Sequence, residues 1–285
     1  MEKHMASTAP QPSTNTTPQP DLCAHFSLSG RPFTQEISAT RMWRHTGLDE
    51  LLDDLDTAVS ARMSVAVIAP SGTGKTALLR RLVDRLPETR YQVADIKVTS
   101  VGNRDFYRGL ARALTVEPAG TWPGLLEKLQ AYAQSLAATE ARRLVIIIDE
   151  AQDMRPDVLS TLRVLTNFNL DSELLISIIL VGDGGLETLL RRPDMEALRS
   201  RLSRVLRIRL LSKTETKAYI DHRLDLAGAR QQILDDSAVE AVYDFSRGNL
   251  RAIDHLCRTA LDLAARQKLD TIDAGIITAA RKMLP

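Results

Sequence analysis

Cysteine is nearly missing from this sequence: Cys23 and Cys257 are the two in 285 residues. They are too few for a disulfide framework and lack the spacing of a metal site, so both read as plain thiols. Aromatic residues are scarce at 4%, which argues against a row of stacking platforms for single-stranded nucleic acid. No uninterrupted apolar run exceeds the five residues of Leu144–Ile148, far short of the roughly 20 that span a bilayer. Residues 1–20 also lack the apolar stretch of a signal peptide. The expected location is the cytoplasm, away from membranes. A charge excess is missing too: 37 basic against 36 acidic residues leave +1, so any surface for a polyanion has to come from local segregation of charge.

What is present is an ordinary globular composition, 44% apolar and 26% charged, with length for one large or two modest domains. Arginine supplies most of the basic residues, which suits bidentate phosphate contacts and is explained as easily by codon composition. Residues 6–20 hold four prolines among Ser, Thr, Gln and Asn; the stretch 1–21 is expected to be a disordered arm. An amphipathic helix after Gly47 places Leu48, Leu51, Leu52 and Leu55 on one face. Short apolar strands then alternate with helices: Ser64–Ile68, Tyr91–Val98, Leu144–Ile148, Leu174–Val181 and Arg204–Leu210. Continuous apolar strands separated by helices indicate an α/β fold with a five-stranded parallel sheet covered on both faces. Beyond Ser212 the pattern is helical only. The expected organisation is an α/β core over 22–211 and an all-α lid over 212–285.

Five motifs bear chemistry. Ala69-Pro70-Ser71-Gly72-Thr73-Gly74-Lys75-Thr76 fits the phosphate-binding loop G-x-x-x-x-G-K-[ST] apart from Ala69 at the first glycine. Glycines let amides turn inward around phosphate, Lys75 neutralises the β and γ oxygens, and the Thr76 hydroxyl serves magnesium. Pro70 to Thr76 are therefore the candidate nucleotide contacts, over the positive end of the following helix. The apolar strand ending Asp149-Glu150-Ala151-Gln152 resembles the Walker B strand, with Asp149 toward magnesium and Glu150 toward the attacking water; the pair argues hydrolysis of ATP with Mg2+. Asp183 follows the next strand, where it either reads the γ-phosphate or starts a turn with Gly184-Gly185. In Ser246-Arg247-Gly248-Asn249-Leu250-Arg251, Arg251 either reaches back to the nucleotide or is a surface arginine after a C-cap glycine. The run Arg191 to Arg209 holds seven arginines against Asp194 and Glu196. Arg199, Arg201 and Arg204 are candidates for an arginine that completes a neighbouring subunit's site, Arg201 foremost, with a solvated helical face as the alternative.

This order of motifs resembles the AAA+ superfamily over nearly the whole folded chain. More narrowly, His25-Phe26-Ser27-Leu28-Ser29-Gly30-Arg31-Pro32-Phe33, Asp149-Glu150-Ala151-Gln152 with Leu165-Thr166-Asn167-Phe168, Leu180-Val181-Gly182 and Tyr219-Ile220-Asp221-His222-Arg223-Leu224 look like the ExeA family, which is similar to the transposition ATPases TnsC and MuB. Secretion-type members continue past the lid into a membrane span and a peptidoglycan-binding module, whereas the present sequence ends at Pro285. The resemblance therefore implies the transposase-associated form: an ATP-dependent regulator of transposition that assembles as a ring or helical filament on double-stranded DNA and engages a transposase and a target-selection protein. The alternative is a secretion or cell-envelope ATPase acting on protein. A signalling switch of the STAND type would need further sensor domains. In such assemblies the pore-facing segment follows the second strand, which here makes Lys97, Thr99 and Arg104 candidate phosphate contacts to duplex DNA; an ordinary polar loop is the other reading.

Overall fold

The computed structural model describes residues 21–34, 41–97, 100–118, 120–169 and 173–284. The expected disordered arm falls, apart from Asp21, outside the described residues, as does Thr99. A short helix α1 (Leu22–His25) precedes α2 (Thr46–Ser60), and β1 (Ser64–Ile68) follows. The chain then runs through α3 (Lys75–Arg85), β2 (Tyr91–Lys97), α4 (Asn103–Ala113), α5 (Trp122–Thr139), β3 (Arg143–Asp149), α6 (Pro156–Leu165), β4 (Ile176–Gly182), α7 (Gly184–Leu190), α8 (Glu196–Arg199) and β5 (Leu202–Arg207). Four lid helices close it: α9 (Lys213–Leu226), α10 (Asp236–Ser246), α11 (Leu250–Gln267) and α12 (Ala274–Lys282).

All strand pairs are parallel, in the order β2-β3-β4-β1-β5. The pleat alternation sorts β3 between two layers. Leu144, Ile146 and Ile148 pack against Phe106 and Leu110 of α4, Leu129 of α5 and Leu162 of α6. Val145 and Ile147 face Leu52 and Leu55 of α2 and Leu78 and Leu82 of α3. Burial on both faces is why β1, β3 and β4 read as mostly apolar runs without polar alternation. Ile68 is paired with Gly182, and Lys97 with Asp149, so the strand ends that carry the motifs share the carboxyl edge of the sheet.

The last strand departs from the expected Arg204–Leu210. It spans Leu202–Arg207, because pairing to β1 begins at Ser64 with Leu202 and shifts register before Val65. As an edge strand it is covered on one face: Leu206 and Ile208 are buried while Val205 and Leu210 are 37% exposed.

A second correction concerns the start of the chain. The stretch from Leu22 was expected in the α/β unit, yet Leu22, Phe26, Leu28 and Phe33 lie in the lid's core with Tyr219, Ile220 and Leu224. Apolar residues in an irregular stretch carry no period that says which core will take them. Here the Ser29 N–H bonded to Ala227 O and the Arg223 guanidinium bonded to Thr34 O tie the segment to α9. No helix among the described residues is long and apolar enough to cross a membrane.

The linker between the two units is pinned at both ends. The Leu211 N–H donates to Gly248 O. A β-carbon on Gly248 would lie 2.0 Å from Leu211 O at a φ of +80°, so this close approach admits glycine alone. Ser212 and Glu215 form a capping box at the start of α9, and Arg209 Nη1 and Nη2 donate to Glu215 at 2.6 and 2.7 Å. The Arg209 hydrogen bonds, with those of the Ser212 N–H and hydroxyl, hold the Glu215 carboxyl at about 2, against the upward push of partial burial. A depressed carboxylate adds stability above its unfolded value of 4.5, and that contribution is lost as pH falls toward 2. Glu215→Gln is expected to lower the thermal midpoint at pH 7 by about 2–4 °C, with the deficit shrinking as the pH is taken below 4.5. A deficit that does not change with pH would assign the effect to packing.

Candidate nucleotide-binding site

The loop between β1 and α3 is built around two left-handed residues, Gly72 at φ +83° and Gly74 at φ +96°, a conformation that costs glycine nothing. The Thr73 hydroxyl donates to Pro70 O at 2.8 Å and closes the turn. Ala69, in place of the motif's first glycine, keeps a negative φ and donates its N–H to Gly182 O at 2.9 Å. It extends the sheet by one residue, so its methyl meets no conformational penalty. Gly74 caps α3 without any side-chain hydrogen bond, which leaves the helix's first amides and its positive dipole end open to an anion. Lys75 is 7% exposed, with Nζ 3.3 Å from Ala69 O and 3.9 Å from Glu150 Oε1. Thr76 is exposed and lines the same cavity, whose volume is roughly 360 Å³.

At the end of β3, Asp149 is buried and accepts the Glu150 N–H at 2.9 Å. Burial pushes its carboxyl above the ordinary value; the Glu150 N–H counters this, Glu150's charge adds to it, and Lys75 and Lys97 oppose it. A buried carboxylate beside a threonine-bearing phosphate loop is a hard-oxygen donor set, and it fits Mg2+, which takes one or two protein oxygens and completes its shell with phosphate and water. Glu150 stands in the left-handed region at φ 54°, ψ 41°, a strained position for a non-glycine residue and of a kind that collects at functional sites. Its Oε2 accepts a hydrogen bond from Gln152 Nε2 at 2.6 Å.

The lid reaches the phosphate loop through the start of α11. Asn249 Nδ2 donates to Ser71 O at 2.7 Å, Arg251 Nη1 to Ser71 Oγ at 3.0 Å, and the Arg251 N–H to Gly72 O at 3.1 Å. Of the two readings of Arg251, the structure places its guanidinium on the loop. For Asp183 it realises the turn: Oδ1 accepts the Gly185 N–H at 2.8 Å and caps α7.

The cavity residues Tyr219, Arg223 and Asp254 carry no site motif in the sequence. Arg223 is 5% exposed, lies 5.5 Å from the ring centres of both Phe33 and Tyr219, and pairs with Asp254 at 3.2 Å. The Tyr219 hydroxyl donates to the same carboxylate at 2.8 Å. Burial lifts Asp254 to about 6 even with Arg223 beside it, and burial likewise lifts the Tyr219 hydroxyl. Together with Trp43, these groups line the same cavity as Lys75. Tyr219 and Arg223 are four apart on α9, which puts them on one face, but Asp254 and Thr34 are remote in sequence.

The arginine run is largely neutralised within the chain. Arg191 and Arg207 pair with Glu187, Arg192 with Asp194, Arg204 with Asp54 and Arg209 with Glu215. Arg199 Nη1 donates to Leu190 O. Arg201 shares a shallow pocket with Ser64, Thr166 and Ile176, where β1 and β4 begin. That is the amino edge of the sheet, opposite the chain's own phosphate loop. Lys97 stands at the carboxyl edge beside Asp149, and Arg104 is exposed in the first turn of α4.

A five-stranded parallel sheet with helices on both faces, a phosphate loop at the carboxyl end of β1, an acidic pair at the end of β3 with β4 between the two strands, and a helical lid that touches the phosphate loop make up the fold of an AAA+ P-loop ATPase. Comparisons with known proteins agree: residues 57–190 match the family model of the AAA domain. The chain is 32% identical over 258 residues to General secretion pathway protein A of Aeromonas hydrophila, an alignment covering 90% of this chain and 47% of that protein. It thus spans about half the length of that relative. Among solved structures it resembles Cdc6p of Pyrobaculum aerophilum, with a TM-score of 0.70 at 17% identity over 88% of this chain and 70% of that one. The Aeropyrum pernix ORC1 protein in complex with DNA gives 0.62 at 18% identity, over 86% of this chain and 67% of that one. The Thermotoga maritima RuvB Holliday junction branch migration motor gives 0.54 at 20%, over 83% and 68%. These likenesses concern the fold.

Proposed function

We propose that this protein is an ATP-driven switch of the GspA type, working on protein partners as an oligomer. The observation that carries this reading is the 32% identity to General secretion pathway protein A, which runs through α/β unit and lid together over 90% of the chain. In this reading the amides of Pro70 to Gly74 and the Lys75 ammonium bind the ATP phosphates, and Thr76 and Asp149 hold Mg2+, which when bound neutralises phosphate charge. Glu150 orients the attacking water and takes its proton. Asn249 and Arg251 already touch Ser71 and Gly72, so a change in phosphate occupancy is felt directly by α11. Because Leu211 is tied to Gly248, a movement of α11 is transmitted to the linker and hence to whatever binds the lid. An arginine of the 199–204 run, Arg201 by preference, completes a neighbour's site from the amino edge of the sheet.

A second reading, an ATP-dependent regulator of transposition that assembles on duplex DNA with a transposase and a target-selection protein, is favoured by one observation. The fold is shared with the Aeropyrum pernix ORC1 protein in complex with DNA. Lys97 and Arg104 would then contact phosphates. Fluorescence anisotropy with a labelled duplex at low salt separates the two readings. The protein-directed switch is expected to show no difference in DNA affinity between ATP and ADP, while sedimentation shows ATP-dependent assembly. Duplex binding that requires ATP and weakens steeply with salt would replace the first reading with the second.

A further inference from the structure

Gln152 has no role in the hydrolysis chemistry just described, yet its side chain is held on two sides beside it. Its carboxamide bridges two elements: Nε2 donates to Glu150 Oε2 at 2.6 Å, and Oε1 accepts the Asp183 N–H at 3.3 Å. The two contacts fix the orientation of the amide, since the reverse assignment would set an oxygen against a carboxylate and an NH2 against an N–H. The side chain lies in a slot made by missing side chains. A β-carbon on Gly182 would stand 2.6 Å from Gln152 Oε1, and one on Gly185 would stand 3.3 Å from Gln152 Cβ. Glu150, for its part, rises from a left-handed backbone at φ 54° and is 43% exposed at its side chain. A carboxylate on a strained turn open to the cavity has many rotamers available, and the amide leaves it one. With Oε2 held by Gln152 and Oε1 3.9 Å from Lys75 Nζ, Oε1 is the oxygen directed toward the phosphate end of the cavity.

We infer that Gln152 is a positioning residue for hydrolysis: its amide fixes the Glu150 carboxylate against the end of β4 so that Oε1 meets the attacking water. The inference rests on Glu150 acting on that water. A glutamate at the same place could not donate to Oε2 and would bring a like charge against it, whereas alanine would free the carboxylate. Loss of a positioning hydrogen bond acts on the chemical step and not on ATP binding, which belongs to Lys75 and the loop amides.

The test is steady-state ATP hydrolysis by the full chain carrying Gln152→Ala, Gln152→Glu, Glu150→Gln and the double variant Glu150→Gln/Gln152→Ala, with ATP affinity measured alongside. Gln152→Ala is expected to lower kcat roughly tenfold, the scale of one lost hydrogen bond, with KM within about twofold. Gln152→Glu, which keeps the shape of the side chain, should lose at least as much. In the Glu150→Gln background, removing Gln152 should change the residual rate by less than about twofold, because a residue acting through Glu150 has nothing left to position. A tenfold cost that persists in that background, or a loss that appears in KM, assigns Gln152 a structural role and overturns the inference. If Glu150→Gln abolishes turnover while Gln152→Ala and Gln152→Glu leave kcat unchanged, the inference alone fails. Parent-like turnover in Glu150→Gln overturns it together with the assignment of Glu150.

Discussion

Replacing Lys75 with alanine is expected to lower ATP affinity by roughly 10²-fold or more and to abolish nucleotide-dependent assembly. Lys75 is 7% exposed and lies among Ala69 O, Glu150 and the uncapped start of α3. A charge-assisted contact in such a place is worth about 1.5–3 kcal/mol. The helix dipole, equivalent to about half a charge, cannot balance a triphosphate by itself. The variant should still fold, because alanine removes a desolvated ammonium that nothing apolar depends on; circular dichroism checks this, and titration calorimetry with ATP reads the affinity. Unchanged ATP-dependent assembly in Lys75→Ala would remove the loop from the nucleotide site.

Glu150→Gln should separate binding from turnover. Glutamine keeps the size of the side chain and its ability to hydrogen-bond while removing the charge that orients water and accepts its proton. Contacts through Lys75, Thr76 and Asp149 are untouched, so ATP affinity is expected to stay within about threefold while kcat falls by roughly 10²-fold or more, the usual scale for a positioned acid–base group. The variant is then a trap for the ATP state, visible as a longer-lived oligomer in sedimentation or mass photometry. Loss of affinity in place of turnover would make Glu150 a structural or metal-binding residue. Equal turnover in variant and parent would send the search to Asp153, an exposed carboxylate in the short turn that follows.

Local patterns carried much of the architecture. The span Ser64–Ile68 and the run Leu144–Ile148 are apolar on both pleat faces, and that alone requires helices on both sides of a parallel sheet. The loop from Pro70 to Thr76 announces itself because its chemistry is contiguous: glycines, lysine and hydroxyl must follow one another for the backbone to wrap a phosphate. Charge counting was less informative. Arg191 to Arg209 reads as strongly basic, but Glu187, Asp54 and Glu215, each distant or outside the run, absorb much of that charge.

By itself, then, the sequence determined the α/β class, the phosphate loop and the acidic pair at the end of β3, because each depends on neighbours in the chain or on a short period. The tertiary structure alone decided that residues 22–34 join the lid, that Arg223 and Asp254 meet beside Tyr219 in the wall of the cavity, that Arg251 rests on Ser71, and that Gln152 is wedged between Glu150 and β4. The buried ones among those contacts depend on free energy gained where distant segments exclude water together. Burial makes an unpaired carboxylate or guanidinium costly and so selects its partner, and no local spacing encodes which distant partner that will be.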